Sequence, residues 1–326
     1  MPTISKIPNQ LLKLSQKILS DKGEQDGFIE ALIHPQPLSS SVLWCQPRPL
    51  DSPFPVQPPL PWQPSFCDRL TFTASPRPSQ HFLHQQGHFY CLDFSSVFAA
   101  IPWLHYAPVH GIVVDLCAAP GGKSIAAWVG LHPQLLVSNE SIKKRIGKLI
   151  SNLKRCHVTG FVSNADSQLL RSHLTQTSDL VIVDAPCTGQ SLLAKGEEAP
   201  GCFHPVNIQK SVGRQRRILA NAAHIVAPQG YLAYMTCTFS WEENEQVCAW
   251  FLRQFPQFQP LVVPGLEAYQ SQLTNLPCYR LLPQSGLGAG AFTMVLKNQL
   301  QSSRHPFPGR FLDHPSIRKT HDDGRE

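Results

Sequence analysis

The chain has 326 residues, of which 42% are hydrophobic and only 15% charged, with a net charge of +6. That length suits two domains or one enlarged α/β domain, and the mild positive charge is compatible with a polyanionic partner. No apolar run reaches the ~18 residues of a membrane span, the first residues lack a signal-peptide core, and the ten cysteines contain no C-x-x-C pair. Secreted, membrane-spanning and collagen-like classes are excluded, and a reducing, cytoplasmic setting with no membrane partner is expected.

The first thirty-odd residues place Leu11, Leu12, Leu14, Ile18, Phe28, Ile29 and Leu32 at near-helical spacing. Ten prolines then fall between Pro35 and Pro64, which excludes helix there. Leu43, Trp44, Leu60, Trp62 and Phe66 in this stretch are too large and apolar for a solvated linker, so a packed, meandering cover is expected. From about residue 106 the texture changes. Apolar runs at Ile112–Leu116, Leu135–Ser138, Gly160–Asn164, Leu180–Val183 and Tyr231–Met235 alternate with amphipathic segments. That alternation predicts an α/β fold with a mostly parallel sheet covered by helices on both faces. Ala291–Lys297 reads as an added edge strand, and the polar stretch from Gln299 as a disordered tail.

The run Ile112–Leu116 leads into Cys117-Ala118-Ala119-Pro120-Gly121-Gly122-Lys123-Ser124 and then into helix-forming residues. A glycine-rich turn after the first strand of a parallel sheet faces the ligand crevice, although a purely structural tight turn is the plain alternative. Gly122-Lys123-Ser124 copies the end of a P-loop, and Leu180–Asp184 resembles a strand presenting a magnesium ligand, so an NTPase is a rival. Against it, Cys117 replaces the first P-loop glycine and Pro120 removes an N–H. A nucleoside cofactor held by its ribose needs an acidic residue at the end of the second strand, which Glu140 supplies. Asp166 ends the third strand, where an adenine edge is within reach, and Asp184 ends the fourth. A carboxylate after each of the first three strands (Asp115, Glu140 and Asp166) would repel a triphosphate but suits a cationic nucleoside, S-adenosylmethionine.

Asp184-Ala185-Pro186-Cys187-Thr188-Gly189 and Thr236-Cys237-Thr238-Phe239-Ser240 follow the fourth and fifth strands, so both thiols fall at the carboxyl edge of the sheet. A lone cysteine there is commonly a small buried hydrophobe; two shift that balance. Zinc is a poor alternative, because Cys202 and His204 match no usual ligand spacing, and no metal is expected. A pair of thiols suits pyrimidine methylation. A thiolate adding to carbon 6 makes carbon 5 nucleophilic, Asp184 is placed to hydrogen-bond the protonated ring nitrogen, and a second thiol can assist release.

The runs DLCAAPGGKS, Asn139-Glu140, Asp166, DAPCTG and TCTFSWEENE resemble the ordered motifs of the Sun-domain (Fmu-type, RsmB/NOP-like) RNA cytosine-5 methyltransferases. Gly87-His88-Phe89-Tyr90 through Asp93, Ser95 and Ser96 resembles the segment that precedes the family's catalytic domain, and the likeness extends over about residues 80–298. It implies a class I (Rossmann-like) methyltransferase fold. It further implies S-adenosylmethionine contacts from Cys117, Ala118, Ala119, Pro120, Gly121, Gly122, Lys123, Glu140, Asp166 and Asp184. Cys237 would be the nucleophile and Cys187 the residue assisting release. The likeness departs at Leu92, at Gly290-Ala291-Phe292, and near Val42-Leu43-Trp44, which bears on how the N-terminal region grips RNA.

Lys143, Lys144 and four further basic residues lie within the thirteen positions 143–155, after Glu140, either a solvated helix face or a phosphate contact. Arg214 belongs to a second basic cluster. In the loop between the two cysteines, Phe203 is a candidate for base stacking and Lys195 for a phosphate; a simple crossover loop is the alternative. The expectation is an RNA cytosine-5 methyltransferase, a monomer acting on rRNA, with tRNA as the other substrate. A P-loop NTPase and a non-catalytic RNA-binding protein on the same scaffold are the alternatives. Residues 1–105 are expected to position RNA, 106–298 to form the methyltransferase domain, and 299–326 to be the tail.

Overall fold

Two helices open the fold, α1 (Asn9–Ile18) and α2 (Lys22–Ile33). Leu11, Ser15 and Ile18 face inward at helical spacing, and the Asp21 side chain caps α2 by accepting from Glu24 N. A computed structural model describes residues 8–38, 40–71 and 77–320. The proline-rich stretch contributes β1 (Ser40–Trp44), which pairs with β2 (Cys67–Arg69) and, beyond the short α3 (Phe82–Gln85), with β3 (Phe89–Asp93) in the antiparallel order β2-β1-β3. Trp62 leaves this stretch to stack on Phe94 with ring centroids 5.3 Å apart. Asp93 ends β3 and caps α4 (Phe94–Tyr106) through Ser95 N at 2.8 Å.

The remaining chain alternates as the apolar runs predict. In order come β4 (Ile112–Asp115), α5 (Gly122–Leu131), β5 (Leu135–Asn139), α6 (Lys143–Arg155), β6 (Phe161–Ser163), α7 (Ser167–Leu174) and β7 (Ser178–Asp184). They are followed by α8 (Pro205–Ile225), β8 (Val226–Thr236), α9 (Glu245–Gln254), β9 (Phe258–Pro260), β10 (Tyr279–Leu281), β11 (Ala291–Asn298) and β12 (Ile317–Lys319). The large sheet runs β10-β11-β8-β7-β4-β5-β6-β12, with β9 also on β11. Its centre, β6-β5-β4-β7-β8, is parallel. All four residues of β4 are buried, because helices cover both faces. Chain order reverses between β5 and β7 around β4, which opens a crevice at their carboxyl ends.

Two expectations are corrected. Ala291–Lys297 is not an edge strand: β11 lies between β8 and β10, and its first six residues are all buried. The stretch from Gln299 is not a structureless tail up to residue 320. Phe311 is buried in the core, Arg304 pairs with Asp179 at 2.7 Å, and β12 closes the far edge of the sheet on β6. Residues 321–326 of the expected tail lie outside the described residues.

Candidate active site

The turn after β4 is held by its own backbone. Cys117 N donates to Asp115 Oδ1 at 3.3 Å, Ala118 N to the Asn139 carbonyl at 2.7 Å, and Gly121 N to the Ala118 carbonyl at 2.6 Å. Arg145 and Asn152 of α6 donate to the Ala119 and Pro120 carbonyls. Gly121 adopts φ 118°, a left-handed conformation that side chains resist. Buried Asp115 accepts from Ser124 Oγ at 2.8 Å; burial pushes its carboxyl up to about 7. The Cys117, Ala118 and Gly121 amides are thus turned to the protein and Pro120 has none, so these four positions offer no N–H to an anion. Lys123 Nζ is likewise engaged, 3.0 Å from Asp184 Oδ2.

Beside the turn lies a cavity of about 650 Å³ at the carboxyl ends of β4, β5 and β7. Cys117, Ala119, Pro120, Glu140, Asp166, Asp184, Cys187, Arg214 and Cys237 all line it. Glu140 is buried, and its Oε1 accepts from Ile142 N at 2.9 Å. Its Oε2 is 2.9 Å from Arg145 Nη1, yet no donor is aligned with it, so the ion pair leaves an acceptor open. Asp166 caps α7 through Gln168 N and Leu169 N.

Cys187 Sγ and Cys237 Sγ are 3.2 Å apart on the cavity floor. Their hydrogen bond holds the Cys237 thiol below its ordinary pKa, helped by Ser191 and the Lys195 ammonium and opposed by burial and the Asp184 carboxylate. The same contact, with burial, pushes Cys187 up. Cys237 is solvent-exposed and Cys187 half-buried, so the more acidic thiol is also the more accessible one.

Other expected residues lie elsewhere. Ala118, Gly121, Gly122 and Lys123 support the turn from outside the cavity lining. Lys143 and Lys144 are exposed on the first turn of α6; Arg145 is the residue there that faces the cavity. Lys195 sits 3.6 Å from Asp93 and lines a separate groove with Pro35 and Leu38. Phe203 is half-buried against the N-terminal helices and lines a groove with Lys13 and Lys17, away from the two thiols. Sequence reasoning missed Arg145, Thr188, Gln215, Glu243 and Asn244. The run TCTFSWEENE, which carries part of the family likeness, contains Glu243 and Asn244 but gives them no role of their own.

No group of three or more metal-ligating side chains occurs among the described residues, and His204 Nδ1 accepts from Val206 N instead. No described helix is long and apolar enough to cross a membrane.

The doubly covered sheet, its reversal at β4 and the glycine turn beside a carboxylate-lined cavity define a class I methyltransferase fold. Residues 104–297 match the family described as 16S rRNA methyltransferase RsmB/F. The chain belongs to that family. It is 30% identical over 201 residues to ribosomal RNA small subunit methyltransferase F of Pectobacterium atrosepticum, covering 61% of this chain and 42% of that protein. It is 28% identical over 317 residues to the Aliivibrio fischeri (strain MJ11) protein of the same name, covering 92% and 65%. The chain thus spans less than two thirds of each of these curated relatives. In fold it is similar to a methyltransferase homologue from Pyrococcus horikoshii, with TM-score 0.68, 22% identity, and coverage of 89% of this chain and 99% of that one. NSun6 from Pyrococcus horikoshii, solved with SFG, gives TM-score 0.68 at 19% identity, covering 90% and 99%.

Proposed function

We propose that this chain transfers a methyl group from S-adenosylmethionine to carbon 5 of a cytosine in RNA, with rRNA as the substrate, through a covalent Cys237 adduct. The observation that carries this reading is the 3.2 Å thiol pair on the floor of a carboxylate-lined cavity. One thiol is acidified and exposed; its partner is half-buried and shifted the other way.

The residues fit the cofactor. Glu140 Oε2, buried and without an aligned donor, suits a ribose hydroxyl, and Asp166 on the next strand end suits the adenine edge. S-adenosylmethionine held there would supply the methyl group from a sulfonium. Cys237 adds its thiolate to carbon 6 of a cytosine protonated at its ring nitrogen, and the Asp184 carboxylate, steadied by Lys123, accepts a hydrogen bond from that protonated nitrogen. After carbon 5 accepts the methyl group it loses its proton to a base. The Sγ–C6 bond then breaks, and Cys187 assists that release. Arg214 at the cavity mouth and Lys143 and Lys144 on α6 would contact RNA phosphates. The region up to about residue 105 would position the RNA, since α1 and α2 pack through Phe28 on Phe239, two residues beyond Cys237.

The test is methylation with labelled cofactor on separate rRNA and tRNA substrates, followed by digestion to nucleosides. Label in 5-methylcytidine from rRNA supports the reading. Label only from tRNA changes the substrate, and label in any other nucleoside overturns the chemistry.

A further inference from the structure

Behind the two thiols lies a buried polar cluster that the proposed chemistry does not use. Glu243 has no exposed surface, although it lies in the acidic run Glu242-Glu243-Asn244-Glu245. Its Oε2 accepts from Thr188 N at 3.0 Å and from Gln215 Nε2 at 2.9 Å; its Oε1 accepts from Thr188 Oγ1 at 2.5 Å. Thr188 Oγ1 lies 2.9 Å from Thr238 Oγ1, and Thr238 Oγ1 is itself 3.5 Å from Glu243 Oε1. With the Thr188 proton given to the carboxylate, Thr238 must donate to Thr188. Thr188 follows Cys187 and Thr238 follows Cys237, so the carboxylate holds the residue after Cys187 directly and the residue after Cys237 through Thr188.

The neighbouring bonds make this framework rigid. Tyr234 Oη donates to the Glu243 carbonyl at 2.6 Å. Asn244 accepts from Thr236 Oγ1 at 2.6 Å and donates to the Thr238 carbonyl at 2.9 Å, bracketing Cys237 on both sides. Gln215 also donates to the Pro186 carbonyl at 3.1 Å, which fixes the residue before Cys187. A buried carboxylate is costly unless its acceptors are filled, and here the donors come from the Cys187 turn and from Gln215 of α8.

We propose that Glu243 is a positioning residue that sets the spacing of Cys187 and Cys237 by tying their two turns together from behind. This deepens the reading of Cys237 as the attacking thiol and rests on it. The groups acting on Cys237 are Cys187, the Asp184 carboxylate at the end of β7, Ser191 of the turn over residues 190–195 and, through its charge alone, Lys195 at the end of that turn. Of these, the Cys187 contact acts most strongly, so a slackened clamp raises the Cys237 pKa.

The test is alkylation of Cys237 by iodoacetamide across pH, read by peptide mass spectrometry on the full chain without RNA or cofactor. Glu243→Ala is expected to move the midpoint up by about one pH unit, slowing alkylation roughly tenfold at neutral pH. Glu243→Gln keeps an oxygen for Thr188 N and Gln215 and an amide toward the hydroxyls, and is expected to restore the wild-type midpoint. If Glu243→Ala does not fold, Thr238→Val removes only the link between the turns and is expected to move the midpoint in the same direction, by less. An unmoved midpoint in the folded variant overturns the proposal. So does a Glu243→Gln midpoint displaced as far as that of Glu243→Ala. Because this readout involves no methyl transfer, it stands apart from the RNA assay: inactive wild-type protein sinks the proposed function without moving these midpoints.

Discussion

Lys123 Nζ lies 3.0 Å from Asp184 Oδ2, so the lysine of the glycine turn is bound to the carboxylate ending β7 and is not presented to a phosphate. The side chain is buried, which makes this pairing part of the turn itself. S-adenosylmethionine or its homocysteine product at a hundredfold its Kd is therefore expected to stabilise the protein by about 2.7 kcal/mol, and magnesium ATP to have no effect. A thermal-shift series with the two ligands checks this; stabilisation by ATP alone would restore the NTPase reading.

Glu140 offers a buried acceptor with no aligned donor. Removing a charged acceptor from a ligand hydroxyl costs ~1.5–3 kcal/mol, so Glu140→Ala is expected to weaken cofactor binding about 10- to 150-fold by titration calorimetry. Unchanged affinity would remove Glu140 from the site.

Asp115 gives a pH signature. Burial pushes its carboxyl up from 3.8 to about 7, so the folded chain keeps a proton that the unfolded chain releases. Its stabilising contribution is complete below pH ~4 and is lost as pH rises toward 7. Asp115→Asn lacks that titration, so its stability relative to wild type should rise by on the order of 2–4 kcal/mol between these pH values in urea melts. A constant difference across pH would show that Asp115 is ionised throughout.

The legible parts of the fold are those where burial is continuous along the chain. Ile112–Asp115 and Leu180–Asp184 are strands of a sheet covered on both faces, and their apolar runs show directly where the turns carrying Cys117 and Cys187 must lie. The residues after Gln299 were not legible because their anchors, Phe307, Phe311 and Ile317, are scattered among proline, histidine and arginine, and β12 is three residues long. Phe203 has the chemistry for stacking, but whether it faces RNA or the α1–α2 pair is decided by packing distant in sequence. Glu243 escaped notice for the same reason: its donors Thr188 and Gln215 are 55 and 28 residues away.

Phe311 reports on the C-terminal stretch. Truncating a buried phenylalanine to alanine costs ~3–5 kcal/mol, and that loss is expected for Phe311→Ala in denaturant melts. Deleting residues 299–326 should destabilise the protein further, by removing β12 and the Arg304–Asp179 pair. A deletion that leaves the melt unchanged would show that this segment is not integral to the sheet.

The central claim is that Cys237 attacks and Cys187 releases, and trapping of the covalent complex tests it most directly. Cys187→Ala, incubated with RNA and S-adenosylmethionine, is expected to accumulate protein bonded to methylated RNA that survives denaturing electrophoresis. Cys237→Ala should give neither adduct nor 5-methylcytidine, and the double variant should give no adduct, since trapping requires prior attack. The reverse pattern, with Cys237→Ala trapped and Cys187→Ala free of adduct, would make Cys187 the nucleophile and contradict this account.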